Sequence, residues 1–175
     1  MERSRFQIVL VALLTGVFAG CGRAEPAAEV EQVRAKAQEC ADAMLGGNYA
    51  KVADLTHPKV VAEVGGKQKM VDALNKGVQQ MKAQRFAITA YTVSAPGEVV
   101  GAGADRFAVV PTALEMKTPT GKLKQKSYLL GVSGDGGRSW TFVDGSELNE
   151  ERLRTVAPNV PKELKLPAAE KPVIE

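Results

Sequence analysis

Apolar residues recur along the chain with two different periods, one in each half. In the first half they come every three to four residues, which is typical of amphipathic helices. Glycine and proline interrupt this pattern, and both commonly mark where a helix ends or begins. The predicted helices are Val30–Leu45 up to Gly46-Gly47, a short helix capped by Asn48, and a third from about Lys67 to Gln84. Between the last two, the chain restarts after Pro58 as KVVAEVGG.

The second half alternates apolar and polar residues, as half-buried strands do, with turn residues between the runs. Pro111 lies inside one run and indicates an edge, a bend or a bulge there. Helices followed by a meander of strands predict the α+β class, with N-terminal helices packed on an antiparallel sheet. The predicted strands are Arg85–Ala95, Val99-Val100, Arg106–Lys117, Lys122–Ser133 and Ser139–Asp144, with a last helix at about Glu147–Thr155.

The N-terminus has the pattern of a secretory signal peptide. Two arginines lie within Met1–Arg5, and the uncharged run Ile8–Gly20 follows them. This run of 13 residues is too short to cross a bilayer, because a spanning helix needs about 20 apolar residues. A basic start, an apolar middle and small residues at the end are typical of a signal peptide. We therefore predict that residues 1–20 are removed.

The run ends in Phe18-Ala19-Gly20-Cys21, which resembles the lipobox of bacterial lipoproteins. The resemblance implies a diacylglycerol thioether on Cys21, cleavage before it by lipoprotein signal peptidase, and anchoring in a membrane of the cell envelope. Phe18 departs from the usual leucine at this position. Gly22 stands where an aspartate would signal inner-membrane retention, which favours the outer membrane facing the periplasm. The alternative is an ordinary secreted protein in which Cys21 is incidental.

The mature chain divides into a tether, one domain and a tail. With 175 residues, the protein is large enough for one domain of ordinary size. Residues 21–28 form the lipidated cysteine and a short tether, and residues 29–156 form the domain. The remaining residues, 157–175, hold four prolines and no periodic apolar face, so we predict an extended or disordered tail.

The segment GNYAKVADLTHPKVV, which follows a long first helix, resembles the nuclear transport factor 2-like (cystatin-like) superfamily. The resemblance covers about Glu29–Val156. It implies that three helices pack into the concave side of a strongly bent sheet and form a cone. The superfamily contains isomerases, dehydratases, transport adaptors and many inert domains, so the resemblance indicates a fold and leaves the function open.

A catalytic member of this superfamily needs an acid or base that projects into the cone. Asp54 and His57 lie together at a helix end, with Tyr49, Tyr91 and Tyr128 as candidate partners. A histidine before a proline more often closes a helix C-terminus electrostatically, so a structural role is favoured. We therefore expect a non-catalytic ligand-binding or protein-interaction domain. The alternative is a small-molecule isomerase or hydrolyase that uses Asp54 and His57.

The aromatic residues of the strands are the candidates for a pocket in the cone. The expected partners are the membrane, a small apolar ligand or a protein, and a homodimer is a further candidate. The net charge is +3 and aromatic residues make up 5%, which does not suggest a nucleic-acid surface. One histidine and two cysteines predict no metal centre, and no cofactor is expected. The candidate pocket residues are Tyr91, Phe107, Tyr128 and Trp140.

Three further features have local interpretations. The segment Ser133–Trp140, SGDGGRSW, resembles a single copy of the Asp box and implies a hairpin held by Asp135. Cys40 lies on the apolar face of the first helix, which predicts a buried and inert thiol. Four lysines between Lys117 and Lys126 indicate a solvated hairpin, with an anionic lipid surface as the alternative.

Overall fold

The computed structural model describes residues 26–101, 103–168 and 170–174. The predicted signal peptide, Cys21 and the first part of the tether lie outside the described residues. Within the described ranges, no helix is both long and apolar enough to cross a membrane.

Four helices come first along the chain, and the spacing of apolar residues predicts three of them. The helix that begins at Pro58 was not predicted. The first begins at Pro26, so residues 26–28 of the predicted tether are helical. Proline suits this position because the first N–H of a helix has no intrahelical partner. Asn48 caps the second helix as predicted, with Oδ1 accepting from the backbone N–H of Lys51 at 3.2 Å. The helices are α1 (Pro26–Leu45), α2 (Tyr49–Leu55), α3 (Pro58–Glu63) and α4 (Lys67–Ala83).

The strands form one antiparallel sheet in the order β1-β2-β3-β4, and a fifth strand pairs with β3. This confirms the predicted α+β class. The predicted strand at Val99-Val100 is a single bridge between Val100 and Phe107. The strands are β1 (Ala87–Val93), β2 (Arg106–Thr118), β3 (Gly121–Ser133), β4 (Thr141–Asp144) and β5 (Val173–Ile174).

Pro111 lies where the pairing between β1 and β2 ends. The last pair of this ladder joins Val93 to Thr112, and the N–H of Ser94 then donates to the Pro111 carbonyl at 2.9 Å. The nitrogen and the carbonyl of a strand residue point to the same side. The Pro111 nitrogen therefore faces the β1 side, beyond the last pair of the ladder, where no hydrogen-bond donor is needed. This position agrees with the prediction of an edge or a bend at Pro111.

Successive side chains of β2 and β3 lie on opposite faces of the sheet. The apolar ones therefore belong to two separate clusters, one on each face. We call the side covered by α1 and α2 the inner face and the opposite side the outer face. The inner cluster combines helix residues with Ala108, Val110, Leu129, Trp140 and Phe142. The outer cluster is built from Phe107, Val109, Tyr128, Leu130 and Val143, together with Val60, Val156 and Ala157.

The C-terminal part of the chain covers the outer face. Helix α5 (Glu150–Val156) follows a short 3₁₀ turn, Gly145–Glu147, and ends in the outer cluster. The next residues form two turns, in which the Val160 N–H donates to the Ala157 carbonyl and the Leu164 N–H donates to the Pro161 carbonyl, both at 3.1 Å. Their partly buried apolar side chains pack on the same cluster. Where the sequence predicts an extended or disordered tail, the structure describes two successive turns whose apolar side chains contact the sheet. These side chains are Val160, Leu164 and Leu166.

Two contacts hold α1 close to the sheet. Gly131 of β3 lies against Val33, and a Cβ on this glycine would come within 2.9 Å of the Val33 Cγ2 atom. At the start of α1, Glu29 is buried beside Arg106, with Oε2 and Nε 3.5 Å apart. The Arg106 guanidinium also donates to the Gly103 and Asp105 carbonyls. The helix is therefore fixed by close packing and by a buried ion pair.

Candidate functional site

His57 and Asp54 have structural partners and are directed to different surroundings. The His57 Nδ1 atom accepts from the backbone N–H of Lys59 at 3.3 Å, so His57 caps the start of α3. The prediction that it closes the preceding helix is wrong, because Thr56 occupies the C-cap of α2. Asp54 is exposed and pairs with Lys67 at 2.5 Å.

The surroundings of His57 favour its neutral form. Partial burial lowers its pKa, and the nearby Lys59 charge lowers it further. Neutral imidazole keeps a lone pair on Nδ1, which the cap to Lys59 requires. The ring lines a shallow depression together with Phe107 and Val156, which belong to the outer cluster. His57 therefore lies on the side of the sheet away from α1.

The four aromatic residues predicted to form a pocket lie on two different faces. Phe107 and Tyr128 are buried in the outer cluster, and Trp140 is buried in the inner cluster. Tyr91 is half-buried and has the same strand parity as Val93, which contacts the inner cluster. The structure therefore brings Tyr91 and Trp140 to one face, and Phe107 and Tyr128 to the other.

Trp140 belongs to the hairpin that resembles an Asp box. Its indole N–H donates to the Gly137 carbonyl at 3.0 Å, and Asp135 accepts from the backbone N–H groups of Arg138 and Ser139. The Ser139 hydroxyl donates to the second Asp135 oxygen at 2.6 Å. These bonds lower the pKa of Asp135 to about 2, with those from Ser139 the largest cause. The hairpin prediction is confirmed, and the aspartate is occupied by the turn itself.

A small polar group on the inner face was not predicted from the sequence. Tyr91 hydrogen-bonds Thr112, and the charge of Asp144 acts on both Tyr91 and Cys40. Burial, with Asp144 second, raises the pKa of the Cys40 thiol to about 11 and raises that of Tyr91 well above its usual value. Both groups therefore stay protonated at neutral pH. Cys40 is a free, buried cysteine, as predicted.

A cavity of about 210 Å³ lies at the end of the inner face, where α1 and α4 end and β1 begins. The cavity lies next to the polar group around Cys40 and Tyr91. Met44 is one helical turn beyond Cys40 on α1, and Ile88 comes three residues before Tyr91 on β1. This volume is large enough to hold several water molecules. The lining residues are Met44, Leu45, Gly46, Gly47, Tyr49, Val78, Met81, Lys82, Phe86, Ala87 and Ile88.

The cavity wall is about equally polar and apolar and carries one cation. Leucine, valine, isoleucine, methionine and phenylalanine side chains provide the apolar part, while Tyr49 contributes a phenol and Lys82 an ammonium group. Lys82 lies in the last turn of α4 and is exposed to solvent, so its charge is at the rim. A mixed wall with apolar side chains and a cation at its rim suits a small molecule that combines an apolar part with an acidic group.

The turn that closes this cavity contains a residue in an unfavourable backbone conformation. Arg85 has a φ of 63°, and it joins α4 to β1 immediately before Phe86. The N–H of Phe86 reaches back to the Met81 carbonyl at 2.8 Å, the pattern of a Schellman helix end. Glycine is the usual residue at this position because it pays no Cβ penalty.

The cavity could not be predicted from the sequence because its lining comes from four elements, α1, α2, α4 and β1, that are brought together only by the fold. Each apolar residue in it also fits the periodic face of its own helix or strand.

Comparison of the chain with protein-family models and with curated protein sequences finds no match.

Proposed function

We propose that this chain is a lipid-anchored protein of the bacterial cell envelope whose domain, of the nuclear transport factor 2-like kind, binds a small apolar molecule with an acidic group. The cavity between α1, α4 and β1 carries the proposal. The apolar side chains of its mixed wall would take the hydrocarbon part of the ligand, while Lys82 would pair with the acid. The binding is non-catalytic.

The order of helices before a curled antiparallel sheet supports the superfamily part of the proposal. The lipobox-like sequence ending in Cys21 supports the anchor. An anchor of two or more acyl chains holds a protein durably, because each buried CH₂ contributes about 0.8 kcal/mol.

Binding is favoured over isomerase or hydrolyase chemistry by what the polar side chains already do. The Nδ1 atom of His57 caps α3, and the Asp54 carboxylate pairs with Lys67. On the inner face, Tyr91 and Cys40 keep their protons because their pKa values are raised. A base that could take up a proton from a substrate next to the cavity would need the opposite shift.

Titration with octanoate, followed by calorimetry, tests the cavity. We expect saturable binding to the unaltered chain. Because Lys82 is exposed, the uncharged analogue 1-octanol should bind about three-fold more weakly than octanoate, and Lys82→Gln should weaken octanoate binding by a similar factor. Val78→Trp should abolish binding, because the indole would occupy the cavity. Lys76→Gln is the matched control, since this exposed lysine on the same helix does not line the cavity.

The proposal fails if the unaltered chain binds octanoate and 1-octanol equally well, or if Lys82→Gln binds octanoate as tightly as the unaltered chain does. It also fails if Val78→Trp leaves octanoate binding intact. Circular dichroism of each variant confirms that it is folded before the comparison is made.

Metabolic labelling with palmitate in a bacterial host tests the anchor. The unaltered chain should incorporate the label, and inhibition of lipoprotein signal peptidase should cause the uncleaved precursor to accumulate. Cys21→Ala should remove the label. An unlabelled chain that is cleaved normally in the presence of the inhibitor would show an ordinary secreted protein.

A further inference from the structure

One edge of β3 is longer than the strand that pairs with it. Strand β4 pairs only with Leu129–Val132, which leaves the first half of that edge beyond its end. Strand β5 pairs with two residues of this half, Leu123 and Lys124. Because β2 occupies the other edge, β4 and β5 lie along the same side of β3. An uncovered strand edge offers backbone groups to any extended chain of suitable chemistry.

The same half of β3 carries a row of positive charge. Lys122, Lys124 and Lys126 are exposed and alternate along the outer face, and we call them the lysine row. Lys117 of β2 lies directly opposite Lys122. Lys124, by contrast, lies opposite Glu115, which is a favourable cross-strand pair. Like charges placed opposite each other across a ladder are destabilising, so the pairing of Lys117 with Lys122 does not serve the stability of the hairpin. It does favour an acidic chain running beside β3.

The chain's own C-terminal segment already occupies this edge in the expected manner. Val173 and Ile174 supply the paired strand, and Glu170 lies 3.6 Å from Lys126. The segment thus shows both parts of the recognition, an extended backbone beside β3 and a carboxylate on the lysine row.

This segment is held weakly. Val173 is 58% and Ile174 is 65% exposed, so they bury little apolar surface. The Glu170–Lys126 pair is also largely exposed, and exposed ion pairs contribute little to stability. The chain upstream, at Leu164 and Leu166, packs on the outer cluster. Release can therefore be confined to residues after Leu166, while the rest of the domain stays folded.

We propose that the β3 edge, Gly121–Ser127, is a docking site for an extended acidic segment of a partner protein, and that the C-terminal strand β5 occupies this edge until the partner displaces it. Main-chain pairing would provide the affinity and the lysine row the selectivity for acidic residues. The proposal is independent of the cavity and of the lipid anchor, since neither contributes a residue to this edge.

Fluorescence anisotropy with the whole chain in detergent tests the proposal. The probe is a labelled peptide with the sequence LPAAEKPVIE, which is that of residues 166–175. Glu170→Lys combined with Val173→Pro gives a variant in which β5 is released from the edge, which we call the released variant. The first change replaces the attraction to Lys126 by repulsion, and the second removes the backbone N–H of residue 173. We expect the peptide to bind the released variant about five-fold more tightly than it binds the unaltered chain.

Charge reversal on the edge provides the second comparison. Adding Lys122→Glu and Lys126→Glu to the released variant should abolish peptide binding. Lys69→Glu with Lys76→Glu, on the exposed side of α4, is the matched control and should leave binding unchanged. If charge reversal prevents folding, Lys122→Gln with Lys126→Gln is used instead. These two changes should weaken the affinity for the peptide at least three-fold.

Three results would overturn the proposal. The released variant could bind the peptide no more tightly than the unaltered chain, or a scrambled peptide of the same composition could bind equally well. Sedimentation could instead show that the unaltered chain forms a dimer that the released variant does not form. In that case the edge belongs to a second copy of this chain rather than to an acidic partner.

Discussion

Asp135 holds the turn between β3 and β4 through bonds to both of its carboxylate oxygens. It accepts from the hydroxyls of Ser133 and Ser139 and from the backbone N–H groups of Arg138 and Ser139. Asp135→Ala should lower the free energy of unfolding by about 1 kcal/mol, because the turn is exposed and water replaces part of what is lost. Urea denaturation measures this. Asp42→Ala is the control, and an equal loss there would contradict the account.

The same residue predicts a pH dependence. Its pKa of about 2 in the folded chain lies below the ordinary value of 3.8, so the ionised form is the one that stabilises the fold. The stabilisation should be complete above about pH 4 and should be lost as the pH falls to about 2. The difference in unfolding free energy between the unaltered chain and Asp135→Asn should therefore shrink over this interval. A difference that stays constant from pH 6 to pH 2 would contradict the assigned role.

Arg85 predicts a stabilising substitution. Arg85→Gly should raise the free energy of unfolding by about 1 kcal/mol, because glycine adopts the left-handed conformation without a Cβ penalty. Gln84→Gly is the control, since φ at this neighbouring residue is −86° and glycine there should be destabilising. Thermal and urea unfolding of the two variants should shift in opposite directions. If Arg85→Gly lowers the free energy of unfolding, the contacts of the arginine side chain stabilise the fold by more than its positive φ destabilises it.

Local residue roles could be predicted where the partner lies nearby in the chain. The Asn48 cap, the buried Cys40 and the Asp135 turn all depend on residues a few positions away. His57 could not be assigned in this way, because its position between two short helices fits either a C-terminal closure or an N-terminal cap. The contacts of Thr56 and Lys59 decide between them.

At the scale of elements, the contact between α1 and β3 depends on the absence of a side chain at Gly131. Gly131→Ala should lower the free energy of unfolding by about 1–3 kcal/mol, because its Cβ would meet Val33 at 2.9 Å and Trp140 at 3.3 Å. Gly134→Ala is the matched control, since a Cβ there has no neighbour within 4 Å. Chemical denaturation should separate the two variants. Equal stabilities would mean that α1 can move away from the sheet at little cost.

The sequence predicts most elements because their periods and their glycine and proline boundaries are local. Strands β2 and β3 are found within one or two residues of the predicted ends. The contacts of the C-terminal segment were missed for a physical reason. Prolines separate its apolar residues, so Val160, Leu164 and Leu166 show no period, and only the surface they meet reveals them.

At the scale of the whole molecule, the two faces of the sheet have different roles. The outer face is covered by α5 and the C-terminal segment, while the inner face is filled by α1 and α2 except at the cavity end. Alternation in the sequence gives two faces for each strand. It does not show which elements cover each face, so the pocket could not be placed from the aromatic residues.

Native mass spectrometry of the whole chain, purified in detergent from a bacterial host, tests the proposed binding function most directly. The account predicts that a small acidic molecule stays bound to the unaltered chain and is absent from Val78→Trp. Its mass would identify the class of ligand. A chain that carries no such molecule, and takes up no octanoate when it is added before the measurement, would contradict the claim that the cavity is a binding site.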